Sequence, residues 1–258
     1  MLKKLQMLLS VYRERRKLAE FDVSKFLTEQ ERFFEQVGLN LEDAVQTTKS
    51  YFTTSARIDS SMHYEVVAAL VIQKSIRQIL EIGTQTGRFT KFIAELAEDV
   101  IVTTIDLPVG NVRFDNAIHP NVEAVNVSER LSSSHKLRNE NLAGLRNVTF
   151  REMNSVQLLN HHETYDLVFV DGDHTFPVVA IDAMNALRLV NETGWILFDD
   201  LRPRDGAISE FGGAETTMLL EVLEAAGIIE VFRFHKRLEA NRLYDPGNRK
   251  MIALARRR

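Results

Sequence analysis

Two apolar segments of this chain end in residues that could bind a cation or move a proton. The stretch "YDLVFVDGDHTF", residues 165–176, begins as a run suited to a buried strand and then places Asp171, Asp173 and His174 close together. The stretch "GWILFDD" ends in Asp199 and Asp200. Carboxylate oxygens suit hard cations, and a histidine side chain can accept a proton near neutral pH. These two acidic ends are the first candidates for a functional site.

The elements around these ends alternate between strand and helix. From Met62, the pattern predicts in turn helix, strand, helix and strand at "HYEVVAALVIQKSI", "QILEIG", "GRFTKFIAELAE" and "VIVTTID". After a long polar stretch it predicts strand, strand, helix and strand at "VTFREM", "YDLVFVD", "PVVAIDAMNALRLV" and "GWILFDD". Such alternation is typical of parallel strands joined by crossover helices. We therefore expect an α/β fold with a doubly wound sheet.

The C-terminal part predicts a different connection. A helix at "ETTMLLEVLEAAG" leads into the strand "IIEVFRF", and beyond the turn signal "DPGN" comes the strand "KMIALAR". A tight turn between two strands favours an antiparallel pair. We expect this pair to close one edge of the sheet, and the final "RRR" to be a solvated tail.

The N-terminal residues 1–61 are predicted to form a helical extension, and residues 62–258 the main domain. In residues 1–21, apolar side chains follow helical spacing at Leu2, Leu5, Leu8, Leu9 and Tyr12. A second amphipathic segment is "KFLTEQERFFEQVGL". We expect these faces to pack on the main domain or on a second copy of the chain, giving a homo-oligomer, in preference to a membrane surface.

Composition excludes several classes of protein. The 32 Lys and Arg residues against 36 Asp and Glu give a net charge of -4, which offers no basic field for nucleic acid. The chain has no cysteine, so disulfides and thiolate metal sites are excluded. That absence is compatible with a reducing cytoplasm, where we expect the protein. No apolar run reaches the roughly 20 residues of a membrane span, and the N-terminus lacks the pattern of a signal peptide.

A glycine turn marks a candidate ligand site. In "ILEIGTQTGRF" a strand ends near Glu81, Gly83 begins the turn, and Gly87 precedes the next helix, whose first N–H groups are free to bind a ligand. Asp106 ends the following strand, where a carboxylate can accept hydrogen bonds from both hydroxyls of a ribose. Each feature has an ordinary structural alternative, a tight connection or a helix cap. The turn lacks the third glycine of dinucleotide sites, which favours an adenosine ligand without a pyrophosphate.

The two acidic ends are expected to converge. Carboxyl ends of parallel strands meet at one edge of the sheet, so Asp171, Asp199 and Asp200 should lie together there. Three carboxylates repel one another unless a cation is present, and all-oxygen ligands suit Mg²⁺, or less specifically Mn²⁺ and Ca²⁺. The alternatives are a helix cap formed by Asp173 or Thr175 and solvated loop positions for Asp199 and Asp200.

The order of these motifs resembles that of class I S-adenosylmethionine-dependent methyltransferases. The segments that carry the resemblance are "LEIGTQTG", "IDLP", "FREMNS", "FVDGDH" and "TGWILFDD". Within that class the chain is similar to metal-dependent O-methyltransferases of the catechol and caffeoyl-coenzyme A type, and to their bacterial relatives acting on sugars and small metabolites. The resemblance implies a Rossmann-like sheet of seven strands, with the last strand antiparallel.

The resemblance also implies roles for individual residues. Glu81 would orient the loop and the cofactor amino group, Gly83 and Thr84 would lie against the methionine part, Asp106 would hold the ribose, and Ser155 would contact the adenine. The full expected cofactor-binding set is Glu81, Gly83, Thr84, Gly87, Asp106, Ser155 and Asp171.

The chain departs from the pattern of its relatives in several places. Gln85 stands where a glycine is common, and Trp195 follows Gly194 where a second glycine is usual. The relatives bind their metal through an Asp at the position of Asp171 and an Asp-Asn pair at residues 199 and 200, the second of which is Asp here. His174 falls where the relatives place a lysine general base. We therefore expect Asp171, Asp199 and Asp200 as metal ligands and His174 as the catalytic base.

The expected function is transfer of a methyl group from S-adenosylmethionine to a hydroxyl of a small molecule or sugar, assisted by a divalent metal. The alternatives are a dinucleotide-dependent oxidoreductase and a noncatalytic methyltransferase-like binding module. The helical extension, the "TTSARIDSSMH" loop and residues 108–146 are expected to shape the acceptor pocket, because loops over strand ends carry specificity.

Overall fold

The computed structural model describes residues 23–52, 61–108, 124–201, 214–236 and 251–258. Its elements alternate between helix and strand through the middle of the chain, as the pattern predicts. They are, in chain order, α1 (Val23–Gln36), α2 (Leu41–Tyr51), α3 (His63–Gln73), β1 (Gln78–Ile82), α4 (Arg88–Glu95), β2 (Ile101–Asp106), α5 (Ala124–Leu142), β3 (Val148–Glu152), a 3₁₀ helix (Ser155–Asn160), β4 (Tyr165–Val170), α6 (Val178–Leu189), β5 (Val190–Leu201), α7 (Ala214–Ala225), β6 (Ile229–His235) and β7 (Met251–Arg257).

The strands form one sheet of seven in the order β3-β2-β1-β4-β5-β7-β6. The first five are mutually parallel, and β7 lies antiparallel between β5 and β6. The expected Rossmann-like sheet with an antiparallel last strand is therefore confirmed. Because β5 and β6 are both antiparallel to β7, β6 runs parallel to β5. The carboxyl end of β6 thus lies at the same edge as those of β1, β2, β4 and β5.

Helices cover both faces of the sheet. Successive residues of a strand point to opposite faces, and each face carries its own apolar cluster. Helix α3 is buried along almost its whole length, from His63 to Val71, which suits a helix that is apolar nearly all round. Helices α6 and α7 cover the opposite face through residues such as Ala183, Ala186 and Leu220.

The N-terminal helices α1 and α2 join the same core as α3. Phe34 and Ala44 are buried in the cluster that includes α3, and the ring of Phe34 packs edge-on against Phe234 of β6 at 5.3 Å. Gln30 donates a hydrogen bond to the carbonyl oxygen of His235 and accepts one from its N–H, so α1 pairs with the end of the edge strand. The amphipathic pattern predicted in residues 1–21 lies outside the described residues.

Two local predictions differ from the structure. Helix α5 (Ala124–Leu142) forms where the sequence suggested only a polar stretch. The terminal arginines are exposed to solvent as expected, but they do not form a free tail, since β7 continues to Arg257, whose guanidinium donates a hydrogen bond to the carbonyl of Val190. Arg256 pairs with Glu230 at 2.6 Å and lies over the ring of Trp195. None of the helices in the described part of the chain combines the length and apolar character that a membrane crossing needs.

Candidate functional site

The turn after β1 lies directly against the loop after β4. Gly83 has φ +109, and a Cβ atom added to it would lie 2.3 Å from the carbonyl oxygen of Asp171. Only glycine fits this position, because both the dihedral angle and the backbone contact exclude a side chain. The N–H groups of Gly83 and Thr84 both donate to the carbonyl of Ile105 in β2, at 3.0 and 3.2 Å. The turn therefore joins the ends of β1, β2 and β4.

Gln85 holds a conformation that normally selects glycine. Its φ is +48, in the left-handed region, where a side chain is strained. Its N–H donates to Asp106 Oδ2 at 2.7 Å, which fixes the turn on the end of β2. Gly87, with φ +67, is the residue before α4. The left-handed conformation at position 85 therefore explains why a glycine is common there in the proteins that the chain resembles.

Glu81 is buried beneath this turn in a network of hydroxyl groups. Its Oε2 accepts hydrogen bonds from Thr90 and Thr104, both at 2.5 Å. Thr104 also lies 2.6 Å from the hydroxyl of Thr84. Burial raises the pKa of Glu81 to about 7, although the two threonine hydroxyls act in the opposite direction. The Thr84 hydroxyl thus takes part in the network under the turn, and its contact with a methionine moiety stays a prediction.

Asp106 lies at the end of β2 with both oxygens oriented by backbone donors. Oδ2 accepts from Gln85 and Oδ1 from Leu107, the latter at 2.9 Å. Burial raises the pKa of Asp106, while these N–H groups and the guanidinium of Arg138, 3.6 Å away, lower it. A carboxylate oxygen can accept more than one hydrogen bond, so Asp106 keeps capacity for ribose hydroxyls. Arg138, on α5, is a buried neighbour that sequence reasoning missed.

Ser155 begins the 3₁₀ helix after β3, at the same edge of the sheet. Its carbonyl accepts a hydrogen bond from Asn185 of α6 at 2.9 Å. Its side chain bonds to Asp182, whose pKa burial raises to about 6 against the lowering effect of that hydrogen bond. Ser155 therefore follows the carboxyl end of β3, and its contact with an adenine stays a prediction.

The three predicted acidic ligands are brought together, with a lysine among them. Lys236 Nζ lies 2.5 Å from Asp199 Oδ2 and 2.5 Å from Asp200 Oδ1. Asp200 has φ +56, a left-handed conformation next to the irregularity at the end of β5. Asp199 is almost fully enclosed, with 3% of its side chain exposed, whereas Asp171 keeps 33% exposed. The cluster is thus closed at Asp199 and open at Asp171.

The charges of this cluster determine its pKa values. Burial would raise the pKa of Asp199, but the Lys236 ammonium and His63 outweigh burial and hold it below its usual range. Burial lowers the pKa of Lys236, but the neighbouring carboxylates raise this pKa by more, so it lies above its usual range. The pKa of Asp171 is raised well above its ordinary value, first by burial and then by the charge of Asp199, while Lys236 opposes this shift. The described arrangement is an ammonium held by carboxylates.

His174 faces the open part of the cluster. Its Nε2 lies 3.6 Å from Asp171 Oδ1 and 3.9 Å from Asp200 Oδ2, and 22% of its side chain is exposed. Asp173 instead accepts hydrogen bonds from the N–H and hydroxyl of Thr175, at 2.9 and 2.6 Å, in the turn before α6. The residue preceding α6 is Pro177, which makes no side-chain cap. His174 is therefore the residue of this loop that lies at the acidic cluster.

Lys236 and His63 are the residues near the cluster that sequence reasoning missed. Lys236 follows β6, and β6 runs parallel to β5, so its carboxyl end meets Asp199 and Asp200. The signal was a lysine two residues after the predicted strand "IIEVFRF", but recognising its role required the order of the last three strands. His63 is buried at the start of α3, with Nδ1 at 2.6 Å from the hydroxyl of Ser61.

The predicted metal site is not confirmed. Among the described residues, no group of three or more His, Asp or Glu side chains is arranged to hold a metal ion. The physical reason lies in the cluster itself, since the ammonium of Lys236 already contacts one oxygen of Asp199 and one of Asp200. The three acids lie at the same edge of the sheet, as expected, but the cation that contacts them is a lysine of the chain itself.

Comparisons with known proteins agree with this geometry. Residues 80–201 match the family model described as a methyltransferase domain. No significant match was found among curated proteins.

Solved structures share the fold at low sequence identity. A protein from Klebsiella pneumoniae assigned as an O-methyltransferase is 18% identical, with a TM-score of 0.55, and the match covers 91% of this chain and 98% of that one. The O-methyltransferase TomG from Streptomyces achromogenes, in complex with S-adenosylmethionine, is 17% identical, with a TM-score of 0.55 and coverages of 88% and 95%.

A Staphylococcus aureus protein assigned as a caffeoyl-coenzyme A O-methyltransferase is 15% identical, with a TM-score of 0.53 and coverages of 91% and 98%. The resemblance to class I S-adenosylmethionine-dependent methyltransferases found in the sequence is confirmed by the family match together with the shared fold.

Proposed function

We infer that this class I methyltransferase transfers the methyl group of S-adenosylmethionine to a hydroxyl oxygen of a small molecule or sugar. The proposal rests on the contact between the turn after β1 and the loop after β4, at the carboxyl edge of the sheet. The turn at Gly83 packs on the backbone of Asp171, three residues before His174. A ligand bound on the turn would therefore lie next to a second substrate bound at the acidic cluster. Transfer of a group between two substrates requires this proximity.

The turn side has the groups that an adenosine ligand needs. Asp106 presents oriented carboxylate oxygens for ribose hydroxyls, and Ser155, which follows the neighbouring strand β3, would contact the adenine. Glu81 lies below the turn, where an ionised carboxylate would attract the amino group of the methionine part. S-adenosylmethionine would supply an electrophilic methyl group. The residues of the turn would serve by holding the ligand in one orientation.

The acidic side has a histidine that can take the proton from the hydroxyl of the methyl acceptor. His174 is partly exposed beside two carboxylates, which would stabilise the imidazolium that forms when Nε2 takes a proton. Removing the hydroxyl proton makes the oxygen a better nucleophile. We therefore propose His174 as the general base of the reaction.

No step of the proposed reaction requires a divalent metal. One oxygen of Asp199 and one of Asp200 are hydrogen-bonded to the Lys236 ammonium, whose charge would oppose a second cation. The three residues Asp171, Asp199 and Asp200 would instead orient Lys236 and His174 at the edge of the cleft.

The structural neighbours support the proposal at the level of reaction type. TomG is an O-methyltransferase solved with S-adenosylmethionine, and its match covers 88% of this chain. The Staphylococcus aureus protein is assigned to the caffeoyl-coenzyme A type, whose acceptor carries a hydroxyl. Both favour a hydroxyl acceptor here.

Two measurements test the proposal. Isothermal titration calorimetry with S-adenosylmethionine and with NAD separates a methyltransferase from a dinucleotide-dependent oxidoreductase; we expect binding of S-adenosylmethionine alone. Transfer of a labelled methyl group is then measured against a panel of phenols, sugars and hydroxy acids. Binding without transfer to any acceptor would favour the noncatalytic module, and binding of NAD alone would overturn the proposal.

A further inference from the structure

The acidic cluster carries its own cation. The Lys236 ammonium forms hydrogen bonds to Asp199 Oδ2 and Asp200 Oδ1, both at 2.5 Å. The side chain of Lys236 is only 9% exposed, and that of Asp199 only 3%. A buried ion pair needs close contact between its charges to offset the loss of hydration. Here one ammonium meets two carboxylates at hydrogen-bond distance.

The ammonium and a divalent metal would compete for the same carboxylates. A metal held by Asp199 and Asp200 would lie beside the ammonium, because Lys236 already donates to one oxygen of each acid, while Asp199 Oδ1 is buried without a hydrogen-bond partner. With the ammonium in place, a divalent ion would meet a positive charge at hydrogen-bond distance from both acids. Asp171, the more exposed acid, and the buried Asp199 Oδ1 would remain to attract it, against that repulsion.

The fold holds Lys236 in this position from several sides. The carbonyl of Lys236 accepts a hydrogen bond from the N–H of Met62, immediately before α3. The residue before it, His235, is fixed through both its N–H and its carbonyl by Gln30 of α1. Phe234 packs against Phe34 of the same helix. The backbone at Lys236 is therefore held in place by α1, α3 and β6.

We propose that Lys236 is the resident cation of this site, in the place that a divalent metal takes in the related enzymes, and that the site needs no metal. Two of the three N–H donors of the ammonium are used by Asp199 and Asp200. The third can bind the acceptor oxygen and orient it toward His174. This last step rests on the proposed methyltransferase function, whereas the exclusion of metal does not.

Metal binding tests the proposal without any acceptor. Electron paramagnetic resonance measures free Mn²⁺ during titration of the wild-type protein, Lys236→Ala and Lys91→Ala, a matched control at a half-exposed lysine of α4. We expect no Mn²⁺ binding at the cluster in wild type or Lys91→Ala. Lys236→Ala should bind Mn²⁺ at least about tenfold more tightly, because three carboxylates are then left without their cation. Asp199→Asn added to Lys236→Ala should remove the gain.

A second variant covers the case in which Lys236→Ala does not fold. Lys236→Gln removes the positive charge but keeps a hydrogen-bond donor for Asp199 and Asp200. We expect this variant to fold and to bind Mn²⁺ more tightly than wild type, and a folded Lys236→Gln protein with no gain in Mn²⁺ binding would contradict the exclusion of metal by the ammonium. The wild-type titration decides the matter in every case: binding of Mn²⁺ by wild type that Asp199→Asn abolishes would overturn the proposal.

Turnover gives an independent check. Methyl transfer by wild type should be unchanged by excess EDTA, and addition of Mg²⁺ should not raise it. Activity lost in EDTA and restored by Mg²⁺ would overturn the resident-cation proposal while leaving the methyltransferase proposal intact. Absence of S-adenosylmethionine binding by calorimetry would instead refute the proposed function, and the Mn²⁺ titration would still decide the role of Lys236.

Discussion

The carboxyl edge of the sheet has two parts: a turn side, after β1 and β2, and an acidic side, after β4, β5 and β6. The turn side stabilises its buried carboxylates mainly with neutral hydrogen-bond donors. The acidic side stabilises its carboxylates with cations. Glu81 accepts from threonine hydroxyls and Asp106 from backbone N–H groups. Asp199 and Asp200 accept from the ammonium of Lys236. The consequence appears in the pKa values, since burial raises that of Glu81 while Lys236 lowers that of Asp199.

This difference suits two different tasks. Neutral donors around the turn leave Glu81 and Asp106 able to respond to the charge and hydroxyls of a bound ligand. A fixed cation on the acidic side would hold Asp199 ionised and leave proton transfer to His174. We therefore expect substitutions on the turn side to change ligand affinity or stability, and substitutions at His174 to change turnover.

The largest expected effect separates the two sides by turnover. His174→Ala should lower the rate of methyl transfer by roughly 10²- to 10⁴-fold, because the variant lacks the imidazole that takes the proton from the substrate hydroxyl. Affinity for S-adenosylmethionine should stay within error of wild type, since His174 lies on the acidic side. Single-turnover kinetics and calorimetry measure the two quantities. His162→Ala, at an exposed histidine, serves as the control, and a His174→Ala protein with wild-type turnover would contradict the assignment.

The contact between the two sides is tested at Gly83. Gly83→Ala should cost about 3 kcal/mol of unfolding free energy, because the Cβ meets the Asp171 carbonyl at 2.3 Å in addition to the strain of a positive φ. Gly144→Ala is a matched control, since Gly144 has φ +80 but nothing within 4 Å of a Cβ. It should cost about 1 kcal/mol from strain alone. Urea denaturation measures both, and equal losses would show that the contact is unimportant.

The buried carboxylate of the turn side predicts a dependence of stability on pH. The pKa of Glu81 rises from 4.5 to about 7 on folding, so the folded state binds more protons than the unfolded state between these values. The stability contributed by this group is therefore present at low pH and falls as pH rises through that window, by about 3 kcal/mol in total. Above the folded pKa the contribution no longer changes.

Glu81→Gln removes this titration and keeps a neutral side chain of the same shape. The difference in unfolding free energy between wild type and variant, measured from pH 4 to pH 8, should shift in favour of the variant by about 3 kcal/mol. Asp182, with a pKa raised to about 6, titrates in both proteins and cancels from the difference. A difference that is constant with pH would contradict the raised pKa of Glu81.

A smaller effect on affinity is expected at the end of β2. Asp106→Ala should weaken S-adenosylmethionine binding by about 1.5 to 3 kcal/mol, because hydrogen bonds from ribose hydroxyls to a carboxylate are lost. Calorimetry measures the change. Glu98→Ala, at an exposed acid, is the control. Unchanged affinity in Asp106→Ala would remove the ribose assignment without affecting the role proposed for His174.

The smallest effect is a gain in stability at the turn. Gln85→Gly should raise the unfolding free energy by about 0.5 to 1 kcal/mol, since glycine adopts a φ of +48 without strain. Ser75→Gly, at φ +55 before the amino end of β1, should give a similar gain far from the site. If only Gln85→Gly also lowers affinity for S-adenosylmethionine, the glutamine side chain contributes to ligand binding.

Local patterns were sufficient to predict most of the fold and the turn side of the site. The residues Glu81, Gly83 and Gly87 lie within one strand-turn-helix unit, and Asp106 ends the next strand, so short-range spacing placed them together. Helix α5 was missed because its sequence is polar and its apolar periodicity is weak. Packing against α4, not the pattern of α5 itself, supports that helix.

The sequence by itself determined that Asp171, Asp199 and Asp200 follow buried parallel strands and must meet at one edge, because that depends only on strand direction. The contact between the Gly83 turn and Asp171 was seen only in the structure. Only the tertiary structure decided what balances the charge of the three acids. Lys236 reaches the cluster because β7 inserts between β5 and β6 and α1 anchors the end of β6, which are contacts between segments far apart in the chain. No local periodicity encodes such long-range pairing, so the cation at this site could be identified only after folding.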